Sequence, residues 1–131
     1  MRWERSGCSS ERDIKVTITL ANKAPSLGLT KYVTGRDPRD PHAGDSVISL
    51  SYQATSGAVA TGMTVNGVRV AMTTGTELGH QVYGQIVKLP RGATRTVVLT
   101  LVEPAGTGAP EIVPQPMVSP MRVTVVDARC P

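Results

Sequence analysis

The chain has 131 residues, of which 40% are hydrophobic and 18% charged, a composition typical of one globular domain rather than of a disordered segment. Fourteen basic residues against ten acidic ones give a net charge of +4. The basic residues are scattered and few residues are aromatic, which argues against nucleic-acid binding. No apolar run approaches the ~18 residues that a membrane span needs, so we expect no membrane insertion by this segment.

Valine and threonine are frequent, phenylalanine is absent, and 13 glycines and ten prolines interrupt the chain, which favours an all-β domain. Residues 1–12 show no periodicity and are predicted to form a polar lead-in to a single domain over 13–131. Alternating apolar and polar residues then predict seven strands, at 13–22, 46–54, 59–65, 68–74, about 80–89, 94–102 and 121–127.

Turn residues join some of these strands. Asn66 and Gly67 predict a tight hairpin with positive φ at both positions, and Gly84 inside a strand indicates a bulge or a close backbone approach. Long loops are expected at 23–45 and at 103–120, where five prolines exclude a central strand. Short alternating strands with such turns predict an immunoglobulin-like antiparallel β-sandwich of about seven strands.

The two cysteines, Cys8 and Cys130, lie near the two ends of the chain. We expect them to form a disulfide, because the first and last strands of a small sandwich often lie near each other. Two unrelated free thiols are the alternative. The segment from Met1 to Cys8 lacks the apolar core of a signal peptide, so the chain is either cytosolic or part of a longer secreted protein. A disulfide would favour an extracytoplasmic setting.

The most polar cluster falls within the first long loop and is the weak candidate binding site. Its members are Arg36, Asp37, Arg39, Asp40, His42 and Asp45. Three carboxylates and an imidazole are ligand types that metal ions accept, but two arginines stand among the acids, so a solvated loop with local ion pairs is favoured. We predict no metal site and no cofactor.

Nothing in the sequence names a catalytic chemistry. The only histidines are His42 and His80, no Gly-x-Ser-x-Gly elbow occurs, and no spacing singles out a pair of carboxylates. No catalytic residue is therefore assigned, and a non-enzymatic role is predicted.

Several segments resemble the β-rich C-terminal region of actinobacterial cell-envelope proteins that carry a large domain of unknown function. The resemblance spans roughly residues 14–102 and rests on VTITLANKAP (16–25), GL (28–29), YVTGR (32–36), VNGVRV (65–70), GTELGHQV (75–82) and LPRGATRTV (89–97). These are turn and strand residues, so the resemblance implies a fold better than an activity. It implies a membrane-anchored protein displayed outside the cell, and it carries no catalytic residues. The proline-rich stretch after Glu103 has no counterpart in it.

Together these observations predict a non-catalytic extracytoplasmic module of a larger surface protein, at the cell surface or in the envelope. It would serve as a spacer or would bind a neighbouring domain, another protein or a cell-wall glycan through the loops 23–45 and 103–120. The alternative is a small hydrolase or accessory catalytic domain that uses the 36–45 loop. A third hypothesis is an exposed strand edge that accepts a partner strand.

Overall fold

Strands make up most of the protein in this computed structural model, which describes residues 1–106, 110–113 and 119–128. These residues form nine strands and one short helix: β1 Arg2–Ser6, β2 Glu11–Ala21, α1 Lys31–Thr34, β3 Ser46–Gln53, β4 Val59–Val65, β5 Val68–Arg69, β6 Thr73–Glu77, β7 His80–Leu89, β8 Thr94–Pro104 and β9 Thr124–Asp127. None of the described helices has the length and apolar character of a membrane span.

The strands form two sheets that pack on each other. One sheet has six strands in the order β5-β4-β8-β2-β1-β9, and the other has three in the order β3-β7-β6. All neighbouring strands are antiparallel except β1 and β9, which run parallel. The predicted all-β class with two packed sheets is therefore confirmed.

The core lies between the sheets and follows the alternation in the sequence. In β2, Ile14 and Val16 are buried, while Lys15 between them is exposed. On the neighbouring strand β8, Leu99 and Leu101 are register partners of Val16 and Ile14 and are also buried. Removing these apolar side chains from water is the main favourable contribution to folding.

The first strand differs from the sequence prediction. Residues 1–12 were expected to be a polar lead-in, but β1 pairs with β2, and Trp3 is only 3% exposed. The Trp3 Nε1 donates a hydrogen bond to the Tyr52 hydroxyl oxygen (3.2 Å), which links β1 to β3 in the other sheet. Trp3 is the single apolar residue of this five-residue strand, so the sequence shows no alternation from which the strand could be predicted.

The predicted strand over 68–74 is divided between the two sheets. Val68–Arg69 forms β5 in the six-stranded sheet, whereas β6, Thr73–Glu77, belongs to the three-stranded sheet. Val70 and Met72 pack against the core as the chain passes from one sheet to the other. Each sheet turns one face toward the shared core, so the alternation of apolar and polar residues continues through this corner. The pattern therefore does not reveal the change of sheet.

Two turn predictions are confirmed. Asn66 and Gly67 have φ values of 49° and 80°, as the hairpin between β4 and β5 requires. Gly84 marks a close approach of neighbouring strands, because a Cβ there would lie 2.6 Å from the Thr73 Oγ1 and 3.3 Å from the Leu50 carbonyl oxygen. The bulge itself lies in β4, between Ala60 and Gly62.

The C-terminal part differs in its boundaries. Strand β8 extends two residues beyond the predicted 94–102, and the predicted strand 121–127 begins only at Thr124. Of the predicted loop 103–120, residues 103–104 continue β8. Residues 107–109 and 114–118 lie outside the described residues.

Candidate functional site

The long loop 23–45, which carries the sequence-predicted binding residues, is anchored at both of its ends by Asn22. The Asn22 Nδ2 donates hydrogen bonds to the carbonyl oxygens of Gly44 (2.7 Å) and Leu89 (3.0 Å), and its Oδ1 accepts one from the Ala24 N–H (2.9 Å). One amide side chain therefore joins the start of the loop, its end and the end of β7. The sequence contained no signal for this role, since Asn22 reads only as the end of a strand.

Arg91, in the turn between β7 and β8, holds the same loop from the other side. Its guanidinium donates to the carbonyl oxygens of Ala43 (3.2 Å) and Ser26 (3.4 Å), and its backbone N–H donates to the Asp45 Oδ1 (2.8 Å). A cavity of about 80 Å³ remains between Leu29, Pro38 and Arg91. This volume leaves little room for anything larger than a few water molecules.

The six predicted site residues make contacts mainly with one another. Arg36 pairs with Asp40 (3.1 Å), and the His42 Nδ1 lies 3.0 Å from the Asp45 Oδ2. Backbone N–H groups occupy further carboxylate oxygens: Arg39 donates to the Asp37 Oδ1 (2.9 Å), and His42 donates to the Asp40 Oδ1 (2.8 Å). These are the local ion pairs and turn contacts that the sequence favoured over a cation site. Within the described residues no group of three metal-ligating side chains occurs.

Hydrogen bonds lower the pKa of two carboxyl groups in this loop. The His42 N–H and then the Arg36 guanidinium lower the pKa of Asp40. The Arg91 N–H and then the His42 side chain lower the pKa of Asp45. Both groups are at the surface, and their contacts stabilise the loop's folded conformation.

We therefore predict an acid-dependent contribution from Asp45. Its folded pKa lies below the ordinary value of 3.8, so its stabilisation is present above that pH and is lost as the pH falls through the folded pKa. The Asp45→Asn variant should unfold at a lower urea concentration than the wild type at pH 7. The difference should shrink as the pH falls through the folded pKa of Asp45, because the wild-type carboxyl then becomes neutral as well. A difference that stays constant as the pH is lowered from 7 into the acid range of unfolding would contradict this assignment.

The two histidines do not assemble a catalytic group with the hydroxyls of the loop. The His42 side chain is 67% exposed and contacts Asp45. His80, at the start of β7, places its Nδ1 3.0 Å from the Ala54 carbonyl oxygen. These contacts lend no support to the hydrolase alternative, which stays a hypothesis.

Some apolar residues of the loop are exposed. Leu27, Tyr32 and Val33 are 86%, 98% and 68% exposed, and the last two belong to α1. A helix of one turn ending at Gly35 has no apolar stripe long enough to pack against the sheets, so its side chains point to solvent.

A larger concavity lies on the six-stranded sheet, on the face that points away from the three-stranded sheet. Its volume is about 590 Å³, within the range of about 300–1,000 Å³ that small-molecule sites occupy. Glu4, Lys15 and Thr100 form one row across it, because Glu4 and Lys15 are register partners and so are Lys15 and Thr100. We call this surface the outer-face cavity.

Hydroxyl groups line one side of the outer-face cavity. The bulge in β4 turns Thr61 toward β8, where the Thr61 Oγ1 donates to the Thr100 Oγ1 (2.9 Å). The Thr100 Oγ1 lies 3.3 Å from the Gly62 carbonyl oxygen and donates to it. The Arg69 guanidinium donates to the Thr61 carbonyl oxygen (3.2 Å). Hydrogen-bonding groups of the side chain and backbone are thus fixed in position beside the row.

Charges of both signs line the outer-face cavity. The carboxylates are Glu4, Asp13 and Asp127, and the cations are Arg5 and Lys15. Arg2 pairs with Glu4 at 3.0 Å and lowers the Glu4 pKa, and Arg5 holds Asp127 through two hydrogen bonds of 2.7 and 2.6 Å. Because Glu4 and Asp127 are each paired with an arginine and Lys15 offsets Asp13, the surface favours a neutral, hydrogen-bonding ligand over a strongly charged one.

Sequence reasoning missed the outer-face cavity because its residues look like ordinary solvent-facing positions. Lys15 and Thr100 alternate with buried residues in β2 and β8, a pattern that predicts exposure but not convergence. Only the register of the two strands, together with the bulge at Thr61, brings them together. Neighbouring strands, rather than spacing in the chain, define the site.

Comparisons with protein-family models, with curated proteins and with solved structures found no match for this chain.

Proposed function

We propose that this protein is a non-catalytic extracytoplasmic module of a larger surface protein and that it binds a neutral cell-wall glycan on the outer face of its six-stranded sheet. The observation that carries the proposal is the outer-face cavity of about 590 Å³, lined by hydroxyls and by charges of both signs, two of whose carboxylates are paired with arginines. Sugars offer many neutral donors and acceptors, and such a surface can match them without a net charge to compensate.

The aromatic residues favour hydrogen bonding over ring stacking as the mode of recognition. Trp3 and Tyr83 are buried in the core, and Tyr52 packs against it. Tyr32 lies in the long loop, away from the outer-face cavity. A glycan would therefore be held by groups such as Lys15 and the threonine hydroxyls. Contacts of this type predict weak binding to a repeated surface polymer.

The register of the two parallel strands supports the extracytoplasmic part of the proposal. Arg5 in β1 is the register partner of Asp127 in β9. Cys8 follows Arg5 by three residues and Cys130 follows Asp127 by three. Each cysteine thus follows soon after the end of one of two neighbouring strands, and this favours a Cys8–Cys130 disulfide. Cys130 lies outside the described residues, so the pairing stays a prediction.

Two finer interpretations belong to the same proposal. Within the all-β class, we propose an immunoglobulin-like sandwich as the closest description of the two packed sheets. The resemblance of residues 14–102 to the β-rich region of actinobacterial cell-envelope proteins suggests the cell envelope as the location. Neighbouring domains of the parent protein remain proposed partners, for which the sequence favours the loops 23–45 and 103–120 as the binding segments.

The proposal predicts that Lys15→Ala weakens glycan binding by about tenfold, the loss expected when a hydrogen bond from a charged donor is removed. The Lys88→Ala variant is the matched control, because Lys88 is an exposed lysine of β7 in the other sheet. The probe is a neutral tetrasaccharide of N-acetylglucosamine, titrated by calorimetry. Equal affinities of the two variants would contradict the proposal, as would the absence of binding to the wild type.

The same titration tests the hydrolase alternative. We expect the tetrasaccharide to be recovered intact by mass spectrometry after prolonged incubation with the wild-type protein. Cleavage that is lost in a His42→Ala variant would contradict a non-catalytic role and would favour the 36–45 loop as an active site.

A further inference from the structure

One edge of the three-stranded sheet is open. Strand β3 pairs with β7 on one side and, within the described residues, with no strand on the other. The Ala54 N–H donates a hydrogen bond to the Gln81 carbonyl oxygen (2.8 Å). This bond shows which alternate residues turn their backbone groups toward β7. In an antiparallel pair every second residue turns its backbone groups away from the partner. In β3 the residues that do so are Val47, Ser49, Ser51 and Gln53.

This edge differs from the other sheet edges of the described chain. Strands β5, β9 and β6 have two, four and five residues, whereas β3 has eight. Proteins commonly protect long edges with prolines or charged residues, and β3 contains neither. The backbone groups of β3 are therefore a ready template for one more strand.

A second observation points to the same vacant position. The Trp3–Tyr52 hydrogen bond places β3 over β1, and β9 lies one strand further out in the six-stranded sheet. Val125 is the register partner of Trp3 and so shares its core-facing side, yet Val125 is 45% exposed. Val123, two residues earlier, is 37% exposed. Val125 of β9 and Val123 just before it thus have no covering strand among the residues that the structure describes.

We propose that the space beside β3 and above β9 is a docking site for a single extended segment of another polypeptide. The segment would extend the three-stranded sheet by pairing with the outward backbone groups of β3. Its alternate side chains would be apolar and would cover Val123 and Val125. It would be uncharged at its centre, because β3 carries no charge and Asp127 is already paired with Arg5.

A single strand fits this site better than a second copy of the chain. In a two-fold dimer through β3, the partner's β3 would lie above β9. The partner's own β1 would then have to occupy the place that β9 holds here. The six-stranded sheet extends beyond β3 by one strand, β9, so there is room above β9 for one added strand but not for the second sheet of another copy. The site is separate from the outer-face cavity, and the two proposals can fail independently.

Hydrogen exchange measured by NMR tests the proposal with a capped eight-residue peptide of alternating valine and threonine. In the free protein the amides of Ser49 and Ser51 should exchange quickly, while those of Ile48 and Leu50, bonded to β7, should exchange slowly. Added peptide should slow the Ser49 and Ser51 amides by about tenfold or more. The same peptide with a central proline should not protect them.

Variants of β3 complete the test. Ser49→Pro removes only an outward N–H and should abolish the protection, whereas Ser49→Ala keeps that N–H and should preserve it. Ser51→Lys adds a charge at the edge and leaves the backbone unchanged, and it should also weaken peptide binding. It serves as the test in case the proline variant does not fold. Three outcomes would overturn the proposal: slow exchange of Ser49 and Ser51 in the free protein, no protection by the peptide, or dimerisation through β3 in sedimentation.

Discussion

The Ile14→Ala variant is expected to lose about 2–5 kcal/mol of unfolding free energy, the range measured when large aliphatic side chains are removed from protein cores. Ile14 is 1% exposed and lies in β2, between β1 and β8 in the six-stranded sheet. Its register partners Arg5 and Leu101 belong to those two strands. The neighbouring strands restrict how far the cavity can collapse. Urea denaturation followed by circular dichroism measures the loss.

Ile86 provides a matched control for this prediction. It has the same side chain and also lies in a strand, but it is 63% exposed on the outer side of the three-stranded sheet. The Ile86→Ala variant should lose less than about 1 kcal/mol, mostly through the lower strand preference of alanine. Comparable losses in the two variants would mean that Ile14 does not lie in the core.

Cys8→Ser is the second change with a large expected effect. A disulfide between Cys8 and Cys130 would enclose almost the whole chain, and the chain-entropy model then gives a stabilisation of about 4–5 kcal/mol. Cys130→Ser should destabilise the protein to the same extent, and the double variant should be no less stable than either single variant. Thermal unfolding of the three variants with the wild type measures this pattern.

Thiol titration is the independent check on the disulfide. The unfolded, unreduced wild type should have no reactive thiol, and reductant should expose two. Two thiols without reductant would contradict the pairing and would remove the main support for an extracytoplasmic location.

The fold class could be predicted from local patterns, because alternation reports directly which side chains are buried. Ile14, Val16, Leu99 and Leu101 are apolar positions of two alternating segments, and all four are buried. Alternation does not report which sheet a strand joins. For that reason the corner at Val70 and the extra strands β1 and β6 could not be foreseen.

The candidate sites show the same limit. The ion pairs of the 36–45 loop could be expected, since Arg36 and Asp40 are close in the sequence. The anchoring of that loop by Asn22 depends on residues that are 22 and 67 positions away. The outer-face cavity depends on the register of several strands and on a bulge at Thr61. Interactions of this kind arise only from the folded topology.

The most direct test of the proposed function is an NMR titration of the ¹⁵N-labelled protein with the N-acetylglucosamine tetrasaccharide. The amide shifts should change for Glu4, Lys15, Thr61 and Thr100 and should stay constant along β3 and β7. Shifts confined to the 36–45 loop, or no shifts at millimolar tetrasaccharide, would contradict glycan binding on the outer face of the six-stranded sheet.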